Sequence, residues 1–369
     1  MIDDRTDLAA LRHLLPGDLE VLGELGGSSR SQVHRVRVGG ATVIVKRFVA
    51  EGEGFAREAA ALSVMPPEAP TPRLLGESTQ PPAVVLSDAG TGRSVADDLL
   101  GADPAAAGAS LFSWARAIAL LHDCTAGRGD AFRAALAARA DQPVAGLATL
   151  ATEIEQAVTA LDEHCARLGV RVPAGAWDDL RALHARLHGG PAVLSPGDAC
   201  PDNNVATPSG RILIDFEGAQ WQHPAWDLAY LSVPWPSCWC AWRLPLDTCE
   251  QAVRRYQQTS TLPWATSPGF RGDIDAAAVV WAIITTPWYL RRALADDPPS
   301  PDPRRLMPTR RSQILNRLRL AASSRPQGGP ELAALGALAA ALRDTLADHW
   351  GETSLPYAPA FASGRGEGT

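Results

Sequence analysis

The sequence predicts an α+β fold in two lobes: a small antiparallel sheet crossed by one helix, then a larger, mainly helical lobe. Three observations carry this. Residues 19–86 hold short valine-rich runs with apolar alternation around a Gly39-Gly40 turn, the pattern of a hairpin-connected sheet. From residue 94 onward apolar residues recur at helical spacing over long segments. Within that helical part, residues 192–214 hold two short apolar runs around a polar loop. The first lobe is assigned to residues 1–87 and the second to 88–355. Residues 356–369, rich in Gly, Ser, Ala and Pro, are expected to be a mobile tail.

Asp7 to Leu15 reads as a short amphipathic helix. Leu19 to Leu25, Gln32 to Val38 and Ala41 to Phe48 read as strands, and Glu58 to Met65 as a helix stopped by Pro66-Pro67. Pro72 to Glu77 and Ala83 to Leu86 complete the sheet. Ser94, with Asp97 three residues on, caps the first helical turn of the second lobe. Ser110 to His122, Ala148 to Leu168 and Trp177 to Leu187 follow as helices, then Ala192 to Leu194 and Arg211 to Ile214 as short strands. Helices return from Ala225, broken by prolines at 234–236 and 298–303. Eight of the eleven tryptophans lie between Trp221 and Trp288 and are expected to pack around a pocket.

At 369 residues and 46% hydrophobic content the chain supports a substantial core. A net charge of −7 lacks the basic excess of a nucleic-acid binder, so no nucleic-acid partner is expected. Nine arginines between Arg291 and Arg325 stand against three aspartates and read as a solvated helix face. The acidic N-terminus has no apolar signal core, and no run of about 18 uninterrupted apolar residues exists, so no membrane partner is expected and the cytoplasm is the predicted location. Six cysteines show no disulfide-framework spacing. Cys238-Trp239-Cys240 lacks a matching Cys/His pair nearby and reads as buried thiols. The sequence carries no signal for oligomeric state.

Lys46 is the only lysine; the other 33 basic residues are arginine. A chain that writes arginine nearly everywhere keeps lysine where a compact ammonium is needed. It closes the apolar run Val43-Ile44-Val45, about twenty residues after Gly26-Gly27-Ser28-Ser29. A glycine turn followed by such a lysine is a pattern for gripping phosphates. The most specific block is Pro196-Gly197-Asp198 to Asn203, then Ile214-Asp215-Phe216-Glu217. Phosphoryl transfer needs these types: one carboxylate for the attacking hydroxyl, and an amide oxygen plus a second carboxylate for a hard cation.

From about Gly23 to Leu231 the chain resembles the aminoglycoside phosphotransferase and choline kinase group of small-molecule kinases, relatives of the protein-kinase fold. That group reads His-Gly-Asp-x4-Asn, Ile-Asp-Phe-Glu and Asp-Pro-x-x-Asp-Leu-Ala. This chain has Pro196-Gly197-Asp198 with Asn203, Ile214 to Glu217, and His223-Pro224-Ala225-Trp226-Asp227-Leu228-Ala229. The resemblance implies a protein-kinase-like two-lobed fold, with ATP and Mg²⁺ as cofactors. It implies Asp198 as catalytic base and Asn203 and Asp215 as metal ligands, with Glu217 assisting a metal or the substrate. Gly26, Gly27, Ser28 and Ser29 would cover the phosphates. Lys46 would hold them, kept in place by Glu58, and the connector at Ser87 and Ala89 would meet adenine. Asp227 is expected to be structural, capping a helix. The one departure is Pro196 where the group has histidine, a residue that holds the catalytic loop; proline fixes its own φ and rigidifies by another route.

The function implied is ATP-dependent phosphoryl transfer to a hydroxyl of a small metabolite or antibiotic. A catalytically silent nucleotide-binding module is the alternative, motivated by Pro196. Protein-kinase activity stands further off, since no Ala-Pro-Glu segment follows Asp215. The mixed charges between Pro236 and Gly272, with the arginine-rich stretch beyond, argue against a polycationic acceptor.

Overall fold

The structure, a computed structural model, describes residues 10–27, 30–49, 52–140, 143, 147–295, 306–326 and 332–362. The first lobe is a five-stranded antiparallel sheet of β1 (Leu19–Gly27), β2 (Ser31–Val38), β3 (Ala41–Phe48), β4 (Leu74–Thr79) and β5 (Pro82–Ser87), in the order β1-β2-β3-β5-β4. Lys46 lies in the central strand, opposite Val33 on one side and Val84 on the other. Alternation along a strand sends neighbours to opposite faces. Val43 and Val45 therefore join Val36, Ala83 and Val85 on one face, closed by Leu11 and Leu15. Phe48, Val84 and Leu86 face the other way, onto helix α1 (Gly54–Ser63) and the main core.

Helix α1 starts four residues before the predicted Glu58. Every residue from Phe55 to Leu62 is buried, Arg57 and Glu58 included. No side chain caps its start at Glu53, so the sequence carries no N-terminal signal for its first turn. The predicted N-terminal helix is, among the described residues, a single 3₁₀ turn at Arg12–Leu14, pinned by Leu11 and Leu15. Residues 7–9 of that prediction lie outside the described residues.

The second lobe begins with α2 (Val95–Leu99), where Ser94 and Asp97 form the predicted capping box. Helix α3 (Pro104–Thr125) starts six residues before the predicted Ser110, with Asp103 as N-cap and Pro104 in its first turn. It is long and apolar enough to cross a bilayer. Its Leu111, Trp114, Ile118 and Leu121 are instead fully buried in the lobe's core. Then come α4 (Gly129–Ala137), α5 (Leu150–Leu168) and α6 (Ala176–His188). Strand β6 (Val193–Ser195) pairs with β9 (Gln220–Gln222), and β7 (Asn204–Thr207) with β8 (Gly210–Leu213). The remaining helices are α7 (Ala225–Leu228), α8 (Leu246–Thr259), α9 (Phe270–Ile284), α10 (Thr286–Leu294), α11 (Arg310–Ser323), α12 (Ala333–Trp350) and α13 (Pro359–Ala362).

Two expectations are corrected here. The tail is docked through residue 362: Arg243 stacks over Tyr357 at 3.8 Å, the Ala358 N–H meets the Arg243 carbonyl at 3.0 Å, and Ala358 and Ala360 are buried. Its small residues fit a tight seam, which composition alone reads as mobility. Residues 363–369 lie outside the described residues. The arginine-rich stretch is also not one solvated face. Arg291 and Arg292 are exposed, but Arg317 is buried, donating to the carbonyls of Thr285 at 3.1 Å and Pro236 at 2.8 Å and stacking on Tyr289. Guanidinium forks satisfy carbonyls inside the lobe here.

Candidate active site

Strand β3 and helix α1 bring Lys46 and Glu58 together. The ammonium lies 2.6 Å from Glu58 and 2.5 Å from Asp215, with Glu217 at 3.1 Å. Lys46 is thus joined to its own lobe by Glu58 and to the other lobe by the loop after β8. Burial alone would lower the lysine pKa, but Glu58, Asp215 and Glu217 together raise it above its ordinary value. Glu58 is pushed up to about 7 by its burial, against the pull of Lys46 and with the help of the neighbouring carboxylates. Asp215 sits at φ 66°, in the left-handed region that aspartate tolerates better than most residues. A strained carboxylate held on a loop between two lobes is a mark of function.

Glu58, Asp215 and Glu217 bring their carboxylate oxygens within 4.8 Å of one another. An oxygen-only donor set of this kind fits a hard divalent cation such as Mg²⁺. Asn203 lines the same cavity, its amide donating to the Asp198 carbonyl at 3.0 Å. Arg30, unremarked in the sequence, reaches Glu217 at 2.7 Å. Gly26 and Gly27 end β1 just before it, whereas Ser28 and Ser29 lie outside the described residues.

Asp198 follows β6 on a loop that Gly197 makes possible. Gly197 has φ +78°, and a Cβ there would stand 1.8 Å from the Gly218 carbonyl oxygen. The loop carrying Asp198 and the loop carrying Asp215 and Glu217 therefore lie in direct contact. Asp198 accepts a hydrogen bond from Ser237 at 2.7 Å, and Ser237 bonds Tyr230 at 2.9 Å. Burial pushes the Asp198 carboxyl above the ordinary aspartate range. No sequence motif marked Ser237; it arrives from the proline-broken segment after α7.

Pro196 does not leave the loop unbraced. The adjacent Ser195 donates to Asp227 at 2.6 Å and accepts from the Gly197 N–H at 3.0 Å. His122 of α3 meets the other Asp227 oxygen at 2.9 Å, and its second nitrogen meets Tyr256 at 2.9 Å. Since a carboxylate only accepts, His122 donates through Nε2; in the neutral ring Nδ1 then receives the Tyr256 hydroxyl. Asp227 is structural, but by holding this chain of bonds; no side chain caps α7.

Lys46, Glu58, Ser87, Ala89, Asp198, Asn203, Asp215 and Glu217 all line one cavity of about 490 Å³. Val33, Ile44 and Leu86 of the first lobe and Val205 and Ile214 of the second give it apolar walls. The connector is clamped by Arg35 of β2, which grips Asp88 through two nitrogens at 2.8 and 3.0 Å and the Gly90 carbonyl at 2.6 Å. The Ser87 N–H already meets the Arg73 carbonyl at 2.9 Å. At the cavity's edge Cys238 and Cys240 are buried thiols, as expected, and the fold brings Cys200 and Asp202 to them from 38 and 36 residues before Cys238.

Two lobes, a lysine gripped by carboxylates from both, and a half-buried aspartate on a separate loop of the same cavity define a phosphotransferase built on the kinase fold. The chain belongs to the phosphotransferase enzyme family (APH), whose profile matches residues 22–259. It is a phosphotransferase. No curated protein sequence matches it significantly. Among solved structures, a choline/ethanolamine kinase family protein from Mesorhizobium loti is 20% identical, with 92% of this chain and 99% of that one covered at a TM-score of 0.50. A putative aminoglycoside phosphotransferase from Ralstonia eutropha is 14% identical, covering 94% and 98% at 0.54. The ethanolamine kinase of Plasmodium vivax is 14% identical, covering 80% and 85% at 0.55. At these identities the likeness is one of fold.

Proposed function

We propose that Asp198 takes the proton from an acceptor hydroxyl as its oxygen attacks the γ-phosphorus of ATP, giving a phosphate ester and ADP. The observation that supports this best is Asp198 standing in one cavity with the Lys46–Glu58–Asp215 cluster. Lys46 holds the phosphates, positioned by Glu58. The apolar walls take the adenine; of the two connector residues Ala89 supplies the backbone donor, since the Ser87 N–H is already engaged. Bound Mg²⁺ would neutralise phosphate charge, held by Asp215 and Asn203 with Glu217 assisting. Gly26 and Gly27, at the end of β1, cover the phosphates. The acceptor is a small hydroxylated metabolite or antibiotic, entering beside Ser237 and Trp239. ATP as donor places the reaction in the cytoplasm.

The test is a panel of hydroxyl compounds with Mg·ATP, reading ADP release and product mass. Transfer to a panel member that Asp198→Asn loses supports the reading. Nucleotide binding with no transfer to any compound, unchanged in Asp198→Asn, would establish the silent module instead.

A further inference from the structure

We propose that Cys200, Cys238, Cys240 and Asp202 form a site for a thiophilic divalent cation, of which zinc is the type, that ties the catalytic loop to the Ser237 segment. The loop after Asp198 supplies Cys200 and Asp202, and the stretch that begins with Ser237 supplies Cys238 and Cys240. All three thiols are buried, Cys240 completely. The ligand atoms of Cys200, Asp202 and Cys238 lie within 4.8 Å of one another. Cys238 Sγ lies 3.5 Å from Asp202 Oδ1 and 2.7 Å from Cys240 Sγ.

Zinc–sulfur bonds of about 2.3 Å and zinc–oxygen bonds of about 2.0 Å make the edges of a tetrahedral site roughly 3.5–3.8 Å long. The Cys238–Asp202 separation has that length; the Cys238–Cys240 contact would open by about an ångström as a metal enters between the sulfurs. Thiolates select zinc and similar cations over Mg²⁺, so this site and the oxygen-only cluster at Asp215 differ in the metal they take. The carboxylate is pre-set as well. Trp239 donates its indole N–H to Asp202 Oδ2 at 2.7 Å, which leaves Oδ1 toward the thiols. Coordination would release the thiol protons to solvent.

The position gives the site a purpose. Ser237 lies next to Cys238 and donates to Asp198, and Cys200 and Asp202 flank the same loop. A metal here would fix the distance between the base and its hydrogen-bond donor. The segment needs fixing: Trp235, two residues before Ser237, is fully buried at φ 46°.

The experiment is metal analysis of the full chain purified under reducing conditions, with Co²⁺ titration of the chelator-treated protein. About one zinc per chain is expected, with a thiolate-to-cobalt charge-transfer band on Co²⁺ addition. Asp202→Asn and Cys240→Ser should each weaken metal affinity by tenfold or more, while Cys165→Ser, remote on α5, should not. The oxygen-only site can bind Co²⁺ but gives no thiolate band, so it cannot mimic the result. Metal-free protein as purified, together with no thiolate band on titration, would overturn the proposal. So would an intact-mass loss of two hydrogens locating to Cys238 and Cys240, which would show a disulfide. These readouts do not involve phosphoryl transfer, so their failure leaves the kinase reading untouched.

Discussion

Around Lys46 one ammonium meets three carboxylates within 3.1 Å, with Arg30 reaching one of them. Around Asp198 the bonded side chains are neutral: the Ser237 hydroxyl, backed by the Tyr230 phenol, and the Cys200 thiol. The two ends of one cavity are thus built from opposite materials, and the tasks explain why. A phosphate chain is gripped by fixed charge. A base must keep its affinity for a proton, and a cation beside it would pull its pKa down. Burial and neutral donors leave the Asp198 carboxyl above its ordinary range, where general-base catalysis is more effective.

The largest expected effects break the two ends separately. Asp198→Asn should cut kcat by about 10²–10⁴-fold while nucleotide affinity, measured by equilibrium binding, stays within about twofold. Lys46→Ala should lower kcat/KM by about 10²-fold or more, and here nucleotide binding should weaken too. Lys46→Arg should also be damaging, because a planar fork does not fit between three carboxylates placed for a point charge. Equal losses of nucleotide affinity in the Asp198 and Lys46 variants would erase the division of labour. Next in size, Asp215→Asn should keep the fold and raise the Mg²⁺ concentration needed for half-maximal rate; an unchanged Mg²⁺ dependence would remove Asp215 from the metal.

Ser237→Ala sharpens the neutral end. Its hydroxyl stabilises the ionised form of Asp198, so its loss should raise the Asp198 pKa further. The acid limb of the pH–rate profile should move to higher pH, with kcat reduced by roughly the 1 kcal/mol that a hydrogen bond contributes. A limb that stays in place, or moves down, would show that Ser237 does not act on the base.

How legible these two ends were in the sequence also differs. The grip could be read: Lys46 stands out as the only lysine, and Asp198, Asn203, Asp215 and Glu217 fall in a motif of tight spacing. β3 was read to the residue because valine alternation and Gly39-Gly40 both mark it. The supports could not be read. Ser237 lies 39 residues after Asp198, and His122 meets Asp227 across 105 residues. Common residue types at long separation leave no local pattern, and only the packing of α3 and the β6–β9 pair brings them together. The same holds for Arg317, whose charge pattern reads as surface although its fork satisfies buried carbonyls. Motifs report what touches substrate; the second layer is a property of the fold.

The smallest effect tests the charged end through stability. Glu58 has a folded pKa of about 7 against an ordinary 4.5. Between those values the folded chain holds a proton that the unfolded chain has lost, so the slope of unfolding free energy with pH is negative for this group. Its contribution is fully present below about pH 4.5 and is lost as pH rises to about 7. Glu58→Gln cannot titrate. The stability of the native chain relative to this variant should therefore fall by on the order of 1–3 kcal/mol across that window, read from denaturant unfolding at several pH values. A difference that instead grows with pH would mean that Lys46 dominates Glu58 and holds it ionised throughout. The cluster would then be a salt bridge set before ATP arrives, and not a proton-sharing site whose charge settles only when phosphate enters.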